Sequence, residues 1–247
     1  VIGFVIVSHS RPLAEAALDL AMQMVHDEPP PVRIASGAQD GFGTDAAAIA
    51  EAIDELADAE GVLIMTDLGS AVLSAELALE LRESTHPVRI SDGPFVEGMT
   101  AGIVRALSGG TLDEVATEAR GALAAKRRDE PDDASEPAES ARAPVPADSP
   151  DSPGAGVTAE EPLVNKVGLH SRPAATLVRA VRTFTSDIRI SNATSGAGPV
   201  KANSMVGLLS LGAGKGDVLR IEADGPDAEQ AVAALRELMR DGFGEND

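Results

Sequence analysis

Two histidines carry the chemistry this sequence can do, because the tetrapeptide His-Ser-Arg-Pro occurs twice, at His9 to Pro12 and at His170 to Pro173. In each copy the proline stands just inside a run with helical apolar spacing. The runs are Leu13, Ala16, Ala17 and Leu20 after the first, and Ala174, Leu177, Val178 and Val181 after the second, so each histidine falls at a helix N-terminus. That position offers unpaired backbone N–H groups and the positive end of a helix dipole, which suits a phosphoryl group. The arginine two residues on, Arg11 or Arg172, adds a bidentate phosphate partner. A neutral imidazole keeps one ring nitrogen as a nucleophile, so the expected chemistry is phosphoryl transfer through phosphohistidine.

The elements that must hold the first histidine alternate short β-branched runs with longer amphipathic ones. Strands are expected at Val1 to Val7, Val32 to Ala35, Gly61 to Thr66 and Val88 to Ile90. Helices are expected at Pro12 to Val25, Asp45 to Asp58, Ala71 to Arg82, Phe95 to Leu107 and Leu112 to Ala125. This βαβα order implies a doubly wound parallel sheet with helices on both faces and a site beyond the carboxyl ends of the strands. His9 falls at such an end, as do Asp67 to Ser70 and Ser91 to Gly93. An Asp directly after a strand serves as a helix cap in many folds, but Asp67 is placed to bond the non-reacting ring nitrogen of His9 and fix its tautomer. Gly41-Phe42-Gly43-Thr44-Asp45-Ala46 fits a loose dinucleotide fingerprint, yet five residues separate it from its strand. It reads as a glycine-rich surface loop that can line a docking face.

The chain has 247 residues, room for two domains, and no Cys, which removes disulfides, thiolate catalysis and Cys-ligated metals and fits the cytoplasm. A net charge of −20 with no Trp or Tyr argues against nucleic acid, and no apolar stretch is long enough for a membrane span; the opening Val1 to Val7 reads as a strand. Most of the acidic excess lies in residues 1–125, whereas residues 156–247 are nearly balanced. Between them, residues 126–155 are rich in Pro, Ala, Ser, Asp and Glu and read as an extended, disordered linker. Beyond it a compact α+β pattern follows. Strands are expected at Val157 to Glu160, Asp187 to Ser191 and Val218 to Ala223, with helices at Ala174 to Thr185, Ser204 to Leu209 and Ala228 to Arg240. Ser204 reads as the cap of its short helix, and His26 and His86 as surface residues.

Gly168-Leu169-His170-Ser171-Arg172-Pro173-Ala174 resembles the active-site signature of HPr, the histidine phosphocarrier of the sugar phosphotransferase system. The stretch from Pro199 to Gly212 resembles that family's regulatory-serine segment, and Lys215-Gly216-Asp217 the turn after it. The resemblance covers residues 156–247. It implies an open-faced sandwich of four antiparallel strands and three helices, phosphorylation of His170 on Nδ1, and a phosphate steadied by Arg172. It also marks Ser204 as a possible regulatory serine, with Asn203 standing where many such carriers have Lys.

Residues 1–125 resemble the mannose-family enzyme IIA fold, and in particular the phosphotransfer subunit of phosphoenolpyruvate-dependent dihydroxyacetone kinase. The matching segments are Val5 to Ser10, Gly43-Thr44-Asp45 and Met65 to Ala71. The resemblance implies a phosphotransferase component that takes phosphate from enzyme I onto His170, passes it to Nε2 of His9, and delivers it to ADP held on a separate kinase subunit. Homodimerisation through the first domain is expected, with no cofactor or metal required in this chain. The alternatives are a mannose-type transport component that passes phosphate from His9 to an enzyme IIB, and a non-catalytic regulator that uses phosphorylation as a signal; Gly43-Thr44-Asp45 and Asp67 to Ser70 favour the kinase.

Overall fold

The computed structural model describes residues 1–25, 28–37, 41–124 and 156–245. The proposed linker and His26 lie outside the described residues. The first domain is built on a parallel sheet in the order β2-β1-β3-β4, formed by β1 (Gly3–Val7), β2 (Val32–Ile34), β3 (Val62–Thr66) and β4 (Val88–Ile90). Both central strands are buried along their full length. Alternate residues therefore feed two separate cores. Phe4, Ile6, Leu63 and Met65 pack against α1 (Arg11–Met22), α4 (Phe95–Leu107) and α5 (Leu112–Gly121). Val5, Val7, Val62 and Ile64 pack against α2 (Ala46–Asp54) and α3 (Gly69–Leu81).

The second domain carries an antiparallel sheet in the order β5-β8-β6-β7, with β5 (Val157–Pro162), β6 (Asp187–Asn192), β7 (Ala197–Lys201) and β8 (Val218–Asp224). Burial alternates along β6 and β8, so one face is open and the other packs on α6 (Ser171–Val181), α7 (Met205–Ser210) and α8 (Ala228–Arg240). The residue patterns gave three strands here and missed β7, which carries Gly198 and Pro199 and forms an edge strand paired with β6. The expected helices run past their observed ends at several places. The overrun reaches four residues at α2, which stops at Asp54 where Glu55 to Asp58 tighten into turns, and four at α6, which stops at Val181. No helix among the described residues is long and apolar enough to cross a membrane.

The two domains touch through α4 and α5 on one side and α6 and α7 on the other. Val104 of α4 joins the core of the second domain. Glu118 of α5 accepts hydrogen bonds from the Ser204 hydroxyl at 2.9 Å and from the Val206 N–H at 2.7 Å. Burial pushes the Glu118 carboxyl above its ordinary range, against the opposing pull of those donors and of Arg105. A carboxyl with a raised value in the docked state binds its proton more tightly there. Docking is therefore favoured in full below the ordinary value of 4.5 and weakens as pH climbs through the raised value. Small-angle scattering between pH 4.5 and neutral should show the domains separating as pH rises. Glu118→Gln, which keeps the acceptor and removes the charge, should flatten that dependence.

Candidate functional site

The first histidine stands where β1 ends and α1 begins. Ser10 caps α1, accepting from Leu13 N–H, and His9 precedes the cap by one residue. Asp67, on the neighbouring strand end after β3, reaches across. Its Oδ1 lies 3.0 Å from His9 Nδ1, and its Oδ2 accepts from His9 N–H at 2.9 Å and from the Ser8 hydroxyl at 2.8 Å. Burial pushes the Asp67 carboxyl up, but its bonds with the His9 ring, the His9 N–H and Ser8 together hold it below the usual carboxylate range. An ionised carboxylate only accepts, so it selects the tautomer with the proton on Nδ1 and leaves the Nε2 lone pair outward. Ser70, in the first turn of α3, sits 3.0 Å from Nε2 and can donate to it. The outward nitrogen thus meets the first turn of α3, and His9 itself directly precedes the N-cap of α1, so both helix dipoles favour negative charge on this side of the sheet.

Arg11 does not aim at this nitrogen: its Nε pairs with Glu15 one helical turn along, at 2.9 Å on the exposed side of α1. The glycine-rich loop does approach the site, since Gly43 N–H donates to the His9 carbonyl at 2.9 Å and Phe42 projects into solvent beside it.

The same tetrapeptide begins its second helix one residue earlier. His170 is itself the N-cap of α6, with an extended backbone and no side-chain cap bond, so the ring occupies the place where the first N–H groups of the helix open. Its loop is stitched in place by Asn165 Nδ2 donating to the Gly168 carbonyl at 2.5 Å and by Leu169 N–H donating to Ala213 at 2.8 Å. Gly168 has φ +76°, and a Cβ there would lie 2.4 Å from the Ala213 carbonyl, so only glycine fits. Glu245 closes on the ring from the far end of the chain, its Oε2 3.0 Å from His170 Nε2. Here the carboxylate holds Nε2, and Nδ1 is the nitrogen left open. Lys166, Arg172, Thr176 and Arg179 line the same cleft, and Arg172 has no acidic partner among the described residues.

The structure thus brings His9 to Asp67 and His170 to Arg172, and sets the two pairs apart. Gln23, just past the last turn of α1, lines the His170 cleft, whereas His9 lies before its first turn. The 12 residues of α1, about 18 Å of helix, stand between the imidazoles. Ser204 belongs to neither site. Its hydroxyl caps α7 through Gly207 N–H at 2.9 Å and donates to Glu118. His86 is not the open surface residue its loop position suggested: both ring nitrogens are shut off from solvent without a hydrogen-bond partner among the described residues, and burial pushes its value down. Sequence reasoning missed Ser70 and Glu245. Ser70 stood in a strand-end loop already marked, while Glu245 comes from 75 residues away and left no local signal.

Residues 157–241 match the family described as PTS HPr component phosphorylation site, and residues 3–116 the family described as PTS system fructose IIA component. The chain is 39% identical over 253 residues to the PEP-dependent dihydroxyacetone kinase phosphoryl donor subunit DhaM of Escherichia coli K12, covering 100% of this chain and 51% of that protein. It is 37% identical to the protein of the same name from Klebsiella michiganensis, covering 99% of this chain and again 51% of the relative. The chain spans about half the length of the curated relatives it matches. Among solved structures, HPr of Thermoanaerobacter tengcongensis is 36% identical with a TM-score of 0.34, covering 37% of this chain and 99% of that one.

Asp67→Asn is nearly isosteric and should leave the fold intact while slowing phosphate transfer at His9 by roughly tenfold or more, because the ring loses the charge that fixes its tautomer. Thermal unfolding together with the rate of phosphate turnover at His9 checks both halves. In the native chain the hold is complete above 3.8 and fades as pH falls through the lowered Asp67 value.

Proposed function

We propose that the chain is a phosphohistidine relay, a reading supported by the match of residues 157–241 to the family described as PTS HPr component phosphorylation site and of residues 3–116 to the family described as PTS system fructose IIA component. In this reading enzyme I phosphorylates His170 on Nδ1, His170 passes the group to Nε2 of His9, and His9 delivers it to ADP on a dihydroxyacetone kinase subunit in the cytoplasm. The observation that carries the reading is the pair of opposed carboxylate contacts, Asp67 on Nδ1 of His9 and Glu245 on Nε2 of His170. Each leaves the other ring nitrogen free of a carboxylate, Nε2 of His9 beside the Ser70 hydroxyl and Nδ1 of His170 at the start of α6, and the two nitrogens differ. Transfer between them requires in-line placement and charge compensation rather than covalent help from the protein. In transfer from His170 to His9 one N–P bond forms as another breaks, delivery to ADP breaks the N–P bond of His9 and forms an O–P bond to the nucleotide, and the proton on the held nitrogen stays where it is.

In the docked arrangement α1 separates the imidazoles, so transfer needs the second domain to leave this face and approach His9. We assign residues 1–125 and 156–247 as the two domains and 126–155 as the tether between them. Homodimerisation through the first domain finds support in the outward leucines of α3, since Leu73, Leu77 and Leu81 follow one another at helical spacing and are each about half exposed or more.

His170→Ala should abolish labelling from phosphoenolpyruvate and enzyme I. His9→Ala should accept label on His170 and fail to pass it to the kinase-bound nucleotide. Normal-rate phosphorylation of that nucleotide by His9→Ala overturns the relay. Delivery to an enzyme IIB in place of the kinase subunit assigns the chain to sugar transport. Mixing the two variant chains and measuring restored transfer shows whether one copy serves another.

A further inference from the structure

The last described residues of the chain are bent back on themselves. Gly242, Phe243 and Gly244 take φ of 62°, 59° and 75°, three successive residues in the left-handed region. Two are glycines and adopt it freely; Phe243 is not, and it is the only non-glycine residue with positive φ among the described residues. What holds it there is packing, because the Phe243 ring is buried to 8% exposure in the core of the second domain. The end of α8 is fixed as well. Arg240 in its last turn and Arg236 one turn earlier both pair with Glu161, a buried carboxylate on β5, at 2.8 and 3.0 Å. The reversal that follows delivers Glu245 onto His170, with Oε2 3.0 Å from Nε2 and 3.4 Å from Asn165 Nδ2.

We infer that Glu245 is a positioning residue for phosphoryl transfer at His170, holding Nε2–H so that Nδ1 faces the open N-terminus of α6 and stabilising the positive ring that forms as Nδ1 is phosphorylated. This deepens the relay reading and rests on it only for the identity of the donor. The Nδ1 lone pair forms the new N–P bond, the bond from phosphorus to the donor breaks with its electron pair leaving on the donor, and the Nε2 proton stays between the ring and Glu245. The imidazole thus becomes cationic in a cleft that already holds Lys166, Arg172 and Arg179. Glu245 is the one carboxylate lining it among the described residues. Asp67 makes the mirror-image contact on His9, from a loop unrelated in sequence or fold to the segment that carries Glu245.

The test uses the full chain with ¹⁵N-labelled histidine and needs no enzyme I. In spectra of the neutral imidazoles, His170 should show its proton on Nε2 and His9 on Nδ1. Glu245→Ala should shift His170 toward the mixed tautomers of an unconstrained ring and leave His9 unchanged. Glu245→Gln should keep the Nε2–H tautomer, since its amide oxygen still accepts. Phosphoramidate then serves as a small-molecule donor, with His9 loading as the internal reference. Both variants should load Nδ1 of His170 roughly tenfold more slowly relative to His9, and Glu245→Ala should also place phosphate on Nε2. If the His170 nitrogen shifts and the loading ratio in Glu245→Ala match the native chain, Glu245 has no positioning role, whatever the natural donor proves to be.

Discussion

A carboxylate that grips one nitrogen of an imidazole while leaving the other in the open is the contact on which both sites depend. Without it the ring would rotate and exchange tautomers, and the nucleophilic nitrogen would point at the phosphorus only part of the time. The two domains solve this in unrelated ways. In the parallel sheet, β1 and β3 are neighbours in register from Gly3 opposite Val62 to Val7 opposite Thr66, so the residues that follow, His9 and Asp67, leave the sheet side by side. In the antiparallel domain the carboxylate arrives instead on a chain reversal pinned by a buried phenylalanine.

The charge around each ring follows from the same division. His9 has the start of α1 behind it, the Ser70 hydroxyl of α3 on its ring, and an Arg11 that is engaged with Glu15. His170 has one helix start and a cleft lined with Lys166, Arg172 and Arg179. In the proposed relay, phosphate on the second domain is therefore compensated mainly by side chains, and on the first by backbone dipoles. Side-chain cations are mobile and screened by salt, whereas dipoles built into helices are fixed.

The contact between the domains has a physical cost written into it. Glu118 is taken out of water to bond Ser204 and Val206, and its raised carboxyl value measures how far that burial offsets the bonds gained. The contact keeps the two imidazoles at opposite ends of α1.

The amino-acid sequence by itself settled the repeated His-Ser-Arg-Pro, the order of strands and helices in the first domain and all but β7 in the second, and the placement of each histidine at a helix start, because these follow from local spacing, proline geometry and the period of the apolar residues. Asp67 was legible for a related reason, since a parallel sheet gathers the residues after its strands at one edge. The partner of the second histidine was not, because Glu245 reaches it only after 75 residues of antiparallel pairing and a left-handed turn that no local pattern announces. Nor did the two arginines of the repeat reveal their different fates: Glu15 one turn away captures Arg11, while Arg172 faces a cleft that exists only once α8 has packed across β5. Which nitrogen each ring offers is thus a property of the tertiary fold, since the sequence sets where an imidazole stands and long-range packing decides which of its sides is held.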